Sequence, residues 1–177
     1  MSLYLLEGTC TTRLVFRRVR EADFAAWLPF FQDPASTAYW EGIPSDPEKA
    51  CREQFDRIFH RYRQNLGGMN ALIHRETGAL LGLAGLLVQQ VDGVVELEIG
   101  YSLLPMARGQ GYASEAALHC RNEAFRRGWA KSLISIIHVR NEPSMRVARA
   151  MGMEPEKDTV YKENPVRIFR IRGEDLA

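Results

Sequence analysis

Ala107-Arg-Gly-Gln-Gly-Tyr-Ala-Ser-Glu115 is the stretch on which the reading of this chain turns. It follows a strand-like run, Val94 to Leu104, stopped by Pro105. It precedes a helical run from about Ala113 to Arg127 that ends at Gly128, whose position suits a left-handed cap. A strand end therefore meets a helix start. Such a junction leaves backbone N–H groups unpartnered at the positive end of a helix dipole, which makes an anion site. Gly109 and Gly111 let those amides approach a pyrophosphate closely, and Arg108 adds charge at the rim. Two other phosphate cradles fit poorly. A dinucleotide site wants G-x-G-x-x-G and an acid about 20 residues on, but Ser114 takes the third glycine position and the next strand ends His138-Val139-Arg140. That weighs against a nicotinamide oxidoreductase. No G-x-x-x-x-G-K-[ST] run occurs.

Working outward, Arg13 to Val19 alternates like a short strand, and Glu21 to Phe31 reads as a helix that Pro29 should kink or end. A loop from Gln32 to Asp46 holds Tyr39 and Trp40. Pro47 to about Asn65 is amphipathic, with Cys51, Phe55, Ile58, Phe59 and Tyr62 on one stripe and charges of both signs opposite. After Gly67-Gly68, the runs Met69–Arg75, Leu80–Val88 and Val94–Leu104 form an antiparallel meander through turns at Thr77-Gly78 and Asp92-Gly93. Beyond the central helix, Leu133–Val139 is a β-branched strand, parallel to its neighbour because a helix separates them. Pro143–Met151 is a short helix, and Thr159–Lys162 with Val166–Ile171 make a hairpin around Asn164-Pro165. The order β-α-α-β-β-β-α-β-α-β-β predicts an α/β (α+β) domain, a mixed sheet of about seven strands with helices on both faces.

The 177 residues carry one domain's worth of core. Lys plus Arg is 23 and Asp plus Glu is 22, a net charge of +1. Without a basic excess, nucleic acid is not an expected partner. Cys10, Cys51 and Cys120 form no pair and read as reduced, packed thiols. His60, His74, His119 and His138 fall in no metal-binding spacing, so no metal is expected. No apolar run suits a membrane span or a signal peptide, and the expectation is a cytoplasmic monomer or homodimer.

The quoted stretch resembles the acyl-CoA cradle of the GNAT superfamily of acetyl-CoA-dependent N-acetyltransferases, [Q/R]-x-x-G-x-[G/A], met here by Arg108-Gly-Gln-Gly111-Tyr-Ala113. Further pieces resemble the branch that includes the ribosomal-protein N-terminal acetyltransferases. These are Arg13-Leu-Val-Phe-Arg17 with Glu21-Ala-Asp23, Glu98-Ile-Gly-Tyr-Ser-Leu-Leu-Pro105, and Asn141-Glu-Pro-Ser144 leading to Met151-Gly-Met153. One departure is Arg108, where many members of that branch carry Trp. The resemblance spans residues 13–172, leaving 1–12 as an N-terminal extension and 173–177 as a tail.

It implies acetyl-CoA as co-substrate, with the pyrophosphate on the amides of Arg108, Gly109, Gln110, Gly111, Tyr112 and Ala113. The pantetheine would lie along Ser102, Leu103 and Leu104, with Asn141 and Ser144 nearby. Acetyl transfer needs a neutral amine. At pH 7 this costs about 1 kcal/mol for an α-amine but roughly 4.6 for a lysine-like amine. Glu98 is the expected base, with Glu96 two residues before it on the same strand face as the alternative. Ser144 or Tyr161 would protonate the leaving thiolate. Tyr39 and Trp40 would wall the acceptor, either a protein N-terminal α-amine or a small amine such as an aminoglycoside, polyamine or amino acid. A non-catalytic acyl-CoA sensor with the same cradle is the other reading.

Overall fold

The computed structural model describes residues 3–176. Its elements are β1 (Leu14–Arg18), α1 (Phe24–Gln32), α2 (Pro47–Gln64), β2 (Gly67–His74), β3 (Leu80–Val91), β4 (Val94–Leu103), α3 (Tyr112–Arg126), β5 (Ser132–His138), α4 (Glu142–Ala150), β6 (Glu154–Tyr161) and β7 (Asn164–Arg172). The seven strands make one mixed sheet in the order β1-β2-β3-β4-β5-β7-β6. Every pairing is antiparallel except β4 with β5, which are parallel and share a single registered pair, Glu98 opposite Ile134. Past that pair the two strands part, and the edge of β4 from Ile99 to Leu103 has no ladder partner on that side.

Side-chain alternation sends the core to both faces of the sheet. On one face Leu14, Phe16, Leu72, Leu86 and Ile99 pack against Tyr112, Ala116, Ala117 and Cys120 of α3 and Met145 and Ala148 of α4. On the other, Ala71, Leu83 and Leu104 meet Trp27, Phe30 and Phe31 of α1 and Cys51, Phe55 and Ile58 of α2. Cys51 and Cys120 are buried as small hydrophobes, which pushes their thiols up to about 11 and about 12, while Cys10 is exposed. The N-terminal segment is anchored at Leu5 and Leu6, which are buried, and the Tyr4 ring stands edge-on to Trp129 at 5.6 Å. No helix among the described residues is long and apolar enough to cross a membrane.

Two local expectations are corrected. Pro29 neither ends nor replaces α1, which runs on to Gln32. The lost hydrogen bond and ring clash cost about 3 kcal/mol, but Trp27, Phe30 and Phe31 are all buried around it, each contributing about 1.5–3 kcal/mol. Trp27 also donates to Gln54 Oε1 at 2.6 Å. The last hairpin is longer than expected, because β6 begins at Glu154, and it turns at Lys162-Glu163 rather than at Asn164-Pro165. Both turn residues have positive φ, 47° and 67°, the geometry of a tight hairpin turn. The expected end of α2 is met: it is capped at Asn65, in the left-handed conformation at φ 58°.

Candidate functional site

The slot where β4 and β5 part has a cradle at one end. The first hydrogen bond of α3 to its cap runs from the Glu115 N–H to the Gly111 carbonyl at 3.0 Å. The amides of Tyr112, Ala113 and Ser114 are thus the free donors of the helix start. Gly109 and Gly111 have φ of 75° and 84°, a conformation other residues adopt only with strain. A Cβ on Gly111 would also lie 3.3 Å from Arg13 Nη2. Arg13 belongs to the cradle's frame: it donates to the Gln110 carbonyl (2.9 Å) and to Glu115 Oε2 (2.7 Å), and lies over the Tyr112 ring. The Arg108 side chain is turned inward. It pairs with Asp33 at 2.8 Å and donates to Ser36 Oγ and the Leu103 carbonyl, bracing the loop against the segment after α1. Gln110 Nε2 donates to the Met106 carbonyl at 3.1 Å.

Midway, the ends of β4 and α4 are tied together. The Tyr101 hydroxyl donates to the Ser144 carbonyl at 2.7 Å, and the Asn141 side chain caps α4 by accepting the Ser144 N–H at 3.2 Å. The backbone of Ser144 is thereby fixed, while its hydroxyl has no protein partner among the described residues. Ser102 and Leu103 lie on the unpaired edge of β4, and Leu104 is buried beneath it.

At the other end sits Glu98, opposite Ile134 where the strands diverge. Burial raises its carboxyl above the ordinary range, against a 2.8 Å hydrogen bond from Gln89 and the charges of Arg61 and Lys162. Gln89 Oε1 in turn accepts from the Tyr161 hydroxyl (2.7 Å) and from Arg61 (2.9 Å). Glu98 and Tyr161, 63 residues apart in sequence, thus meet through one amide. Burial, with Glu98 adding to it, pushes the Tyr161 hydroxyl up to about 12, which makes it a weaker acid. Glu96 stands elsewhere, in a two-pronged pair with Arg170 at 2.6 and 3.1 Å, the two side chains only 14% and 12% exposed. It is committed to that pair. Gln89 and Tyr101 are residues that sequence reasoning passed over, while Arg61, read as part of a solvated helix face, instead reaches the sheet oxygens of Val88 and Gln89. Tyr101 lies inside the quoted Glu98–Pro105 motif, whereas Gln89 resembles any polar strand residue near a turn.

The loop between α1 and α2 closes this end. Tyr39 stacks on His138 at the tip of β5, with ring centroids 5.1 Å apart, and the Glu41 N–H donates to Asn164 Oδ1 in the hairpin at 3.0 Å. Trp40 instead packs inward on Phe30 and Phe31. Of the two expected wall residues, Tyr39 spans the opening and Trp40 anchors the loop.

The acetyltransferase (GNAT) domain family matches residues 13–154, most of the chain. The chain belongs to that family. YkkB, an uncharacterized protein of Bacillus subtilis strain 168, is 30% identical over 164 residues, 90% of this chain and 92% of that one. An acetyltransferase from Agrobacterium tumefaciens strain C58 has a similar structure, with a TM-score of 0.79 at 25% identity over 97% of this chain and 98% of that one. RimL, a ribosomal L7/L12 alpha-N-protein acetyltransferase solved in complex with coenzyme A, shares the GNAT fold at a TM-score of 0.72, with 17% identity over 93% of this chain and 97% of its own.

Proposed function

We propose that this GNAT acetyltransferase moves the acetyl group of acetyl-CoA directly to a primary α-amine, with Glu98 as the base. The observation that carries this reading is the placement of one half-buried carboxylate, with no ion-pair partner among the described residues, where β4 and β5 part, at the far end of the slot from the free amides of α3. The cradle suits a pyrophosphate, because its donors are backbone amides and its glycines hold them open. The edge of β4 at Ser102 and Leu103 offers backbone groups to an amide-bearing arm, and Asn141 has a side-chain N–H₂ to spare beside it. The RimL complex with coenzyme A supports the same ligand here.

When bound, acetyl-CoA supplies an activated acyl group on a good leaving thiolate. Glu98, its carboxyl raised by burial, takes the amine proton, directly or through one water. An α-amine asks only about 1 kcal/mol of it at pH 7. The Ser144 hydroxyl, with its backbone fixed, is placed to hydrogen-bond the departing sulfur. The Tyr161 hydroxyl is held on Gln89 and raised in pKa, so it orients the Glu98 partner rather than serving as the acid. RimL's α-amine chemistry favours an α-amine acceptor over a lysine-like one.

The first test is thermal unfolding with acetyl-CoA, using NAD as control. At 100 times its Kd, acetyl-CoA should add about 2.7 kcal/mol, roughly 5–11 °C for a domain of this size. The second follows release of free CoA thiol with α-amines. Glu98→Gln should lower kcat about 10²-fold or more at neutral pH and leave acetyl-CoA affinity unchanged. Wild-type turnover in that variant would remove Glu98 from the chemistry.

A further inference from the structure

The arginines of this protein are mostly neutralised where they stand. Arg13 pairs with Glu115, Arg17 with Asp23, Arg52 with Glu21, Arg108 with Asp33 and Arg170 with Glu96. The cations around Glu98 break that habit. Arg61 donates only to neutral oxygens, the carbonyls of Leu66 (3.2 Å) and Val88 (2.9 Å) and the Gln89 amide (2.9 Å). Arg57, one turn earlier on the same side of α2, and Lys162, in the β6–β7 turn, have no carboxylate partner among the described residues. The Lys162 ammonium sits 5.2 Å over the Tyr161 ring, and Tyr161 reaches the same Gln89 that holds Glu98. Partial desolvation of its ammonium lowers the Lys162 pKa, and the charges of Arg61 and Arg57 lower it further.

Of the carboxylates nearby, Asp56 pairs with Arg52 and Asp92 with Lys157. Glu163, next to Lys162 in the turn, and Glu41 in the loop are exposed at the rim. The excess of cations is therefore confined to the inner part of the site, where Arg61 and Lys162 act on the one carboxylate held by Gln89, Glu98.

Resting on the acetyl-transfer reading above, we propose that the acceptor is a primary amine carrying a carboxylate close to its amino group, recognised by Arg57, Arg61 and Lys162. A guanidinium and an ammonium from two elements suit a carboxylate set beside the amine. The same cations disfavour the protonated form of the incoming amine and so assist Glu98. A polyamine or an aminoglycoside meets like charge at this mouth instead. The carboxylate has two possible sources, the α-carboxylate of a free amino acid or an acidic side chain after a peptide's N-terminus.

The test measures kcat/KM with acetyl-CoA for matched pairs. Alanine is compared with alaninamide, and C-terminally amidated Ser-Asp-Ala with Ser-Asn-Ala; spermidine serves as the polycation. In at least one pair the acid should exceed its neutral partner about tenfold, and 0.5 M salt should shrink the gap. The pair that shows the gap names the source. A double variant, Arg57→Gln with Lys162→Gln, changes two exposed residues and should bring the ratio to within about twofold. Equal rates within both pairs, or a preference for spermidine, would overturn the proposal. If acetyl-CoA binds but no amine turns over, the acetyl-transfer reading fails on its own. Calorimetry of N-acetylalanine against N-acetylalaninamide, with CoA saturating the protein, then decides the anion preference: tighter binding of the acid upholds it, equal binding ends it.

Discussion

Gln89 shows how a neutral side chain sets the chemistry of its neighbours. Arg61 can only donate, and the Tyr161 hydroxyl donates too, so the amide oxygen faces both and its nitrogen faces Glu98. The amide separates guanidinium from carboxylate. Glu98 is hydrogen-bonded without being drawn into an ion pair like that of Glu96 with Arg170. In Gln89→Leu, Arg61 keeps its bonds to the Leu66 and Val88 carbonyls and stays in place. Glu98 then loses a donor that favours its charged form, and its raised pKa rises further. A hydrogen bond to a charged group is worth about 1.5–3 kcal/mol, or roughly one pH unit or more. A base must be unprotonated to act, so the acid limb of kcat/KM against pH should move to higher pH by about that amount. An unmoved limb would show that Gln89 is only packing. Glu98 itself was legible in the sequence as a carboxylate on the strand leading to the cradle. Gln89 was not, because its role arises from partners on α2 and β6 that lie 28 and 72 residues away.

Among the elements, those with strong apolar periodicity and clear punctuation could be read directly: the meander β2–β3–β4, the helices α2, α3 and α4, and the strand β5. Segments governed by tertiary context could not. β6 carries Glu154, Glu156, Lys157 and Asp158 on an outer strand whose first five residues are all exposed. Charge suits a sheet edge but hides the strand from a hydrophobic pattern. The N-terminal segment, read as an extension, also helps to hold the cradle. Glu115 in the first turn of α3 accepts from the Thr11 hydroxyl (2.6 Å), the Arg13 N–H (2.9 Å) and Arg13 Nε (2.7 Å). Burial opposes its ionisation, but the bonds from Thr11 and Arg13 outweigh that and hold the carboxyl below the ordinary range. A depressed carboxyl stabilises the fold above its unfolded pKa, near 4.3, and this contribution is lost as pH falls toward the folded value. Glu115→Gln should therefore cost about 1–2 kcal/mol in urea unfolding at pH 7. The deficit should narrow on acidification below about pH 4. It should also weaken acetyl-CoA binding, because Arg13 carries the Gln110 carbonyl as well. A deficit independent of pH would mean that shape, not charge, makes the clamp.

At the scale of the whole molecule, the parting of β4 from β5 divides the sheet into two arms. One is β1–β4, covered on one face by α1 and α2; the other is β5, β7 and β6. Between β4 and β5 these arms share one registered strand pair, side chains such as Glu96 with Arg170 and Gln89 with Tyr161 bridge them, and the loop between α1 and α2 crosses the gap. Trp40 fixes its near side in the aromatic cluster of α1, while Tyr39 on His138 and Glu41 on Asn164 fix its far side. The crossing contacts lie at the surface, so they add little to global stability and can open locally. Tyr39→Ala removes the stacked ring but leaves the Trp40 anchor intact. Its stability should fall by about 0.5–1 kcal/mol at most, and acetyl-CoA affinity should stay within twofold, since the cradle lies at the opposite end of the slot. The acceptor should feel the loss: KM rises about tenfold while kcat changes less. Hydrogen exchange supplies a separate reading, because the Glu41 amide, bonded only across the gap to Asn164, should lose protection in the variant while the amides of β3 keep theirs. A variant with normal acceptor KM and a protected Glu41 amide would show that the loop closes the site without Tyr39.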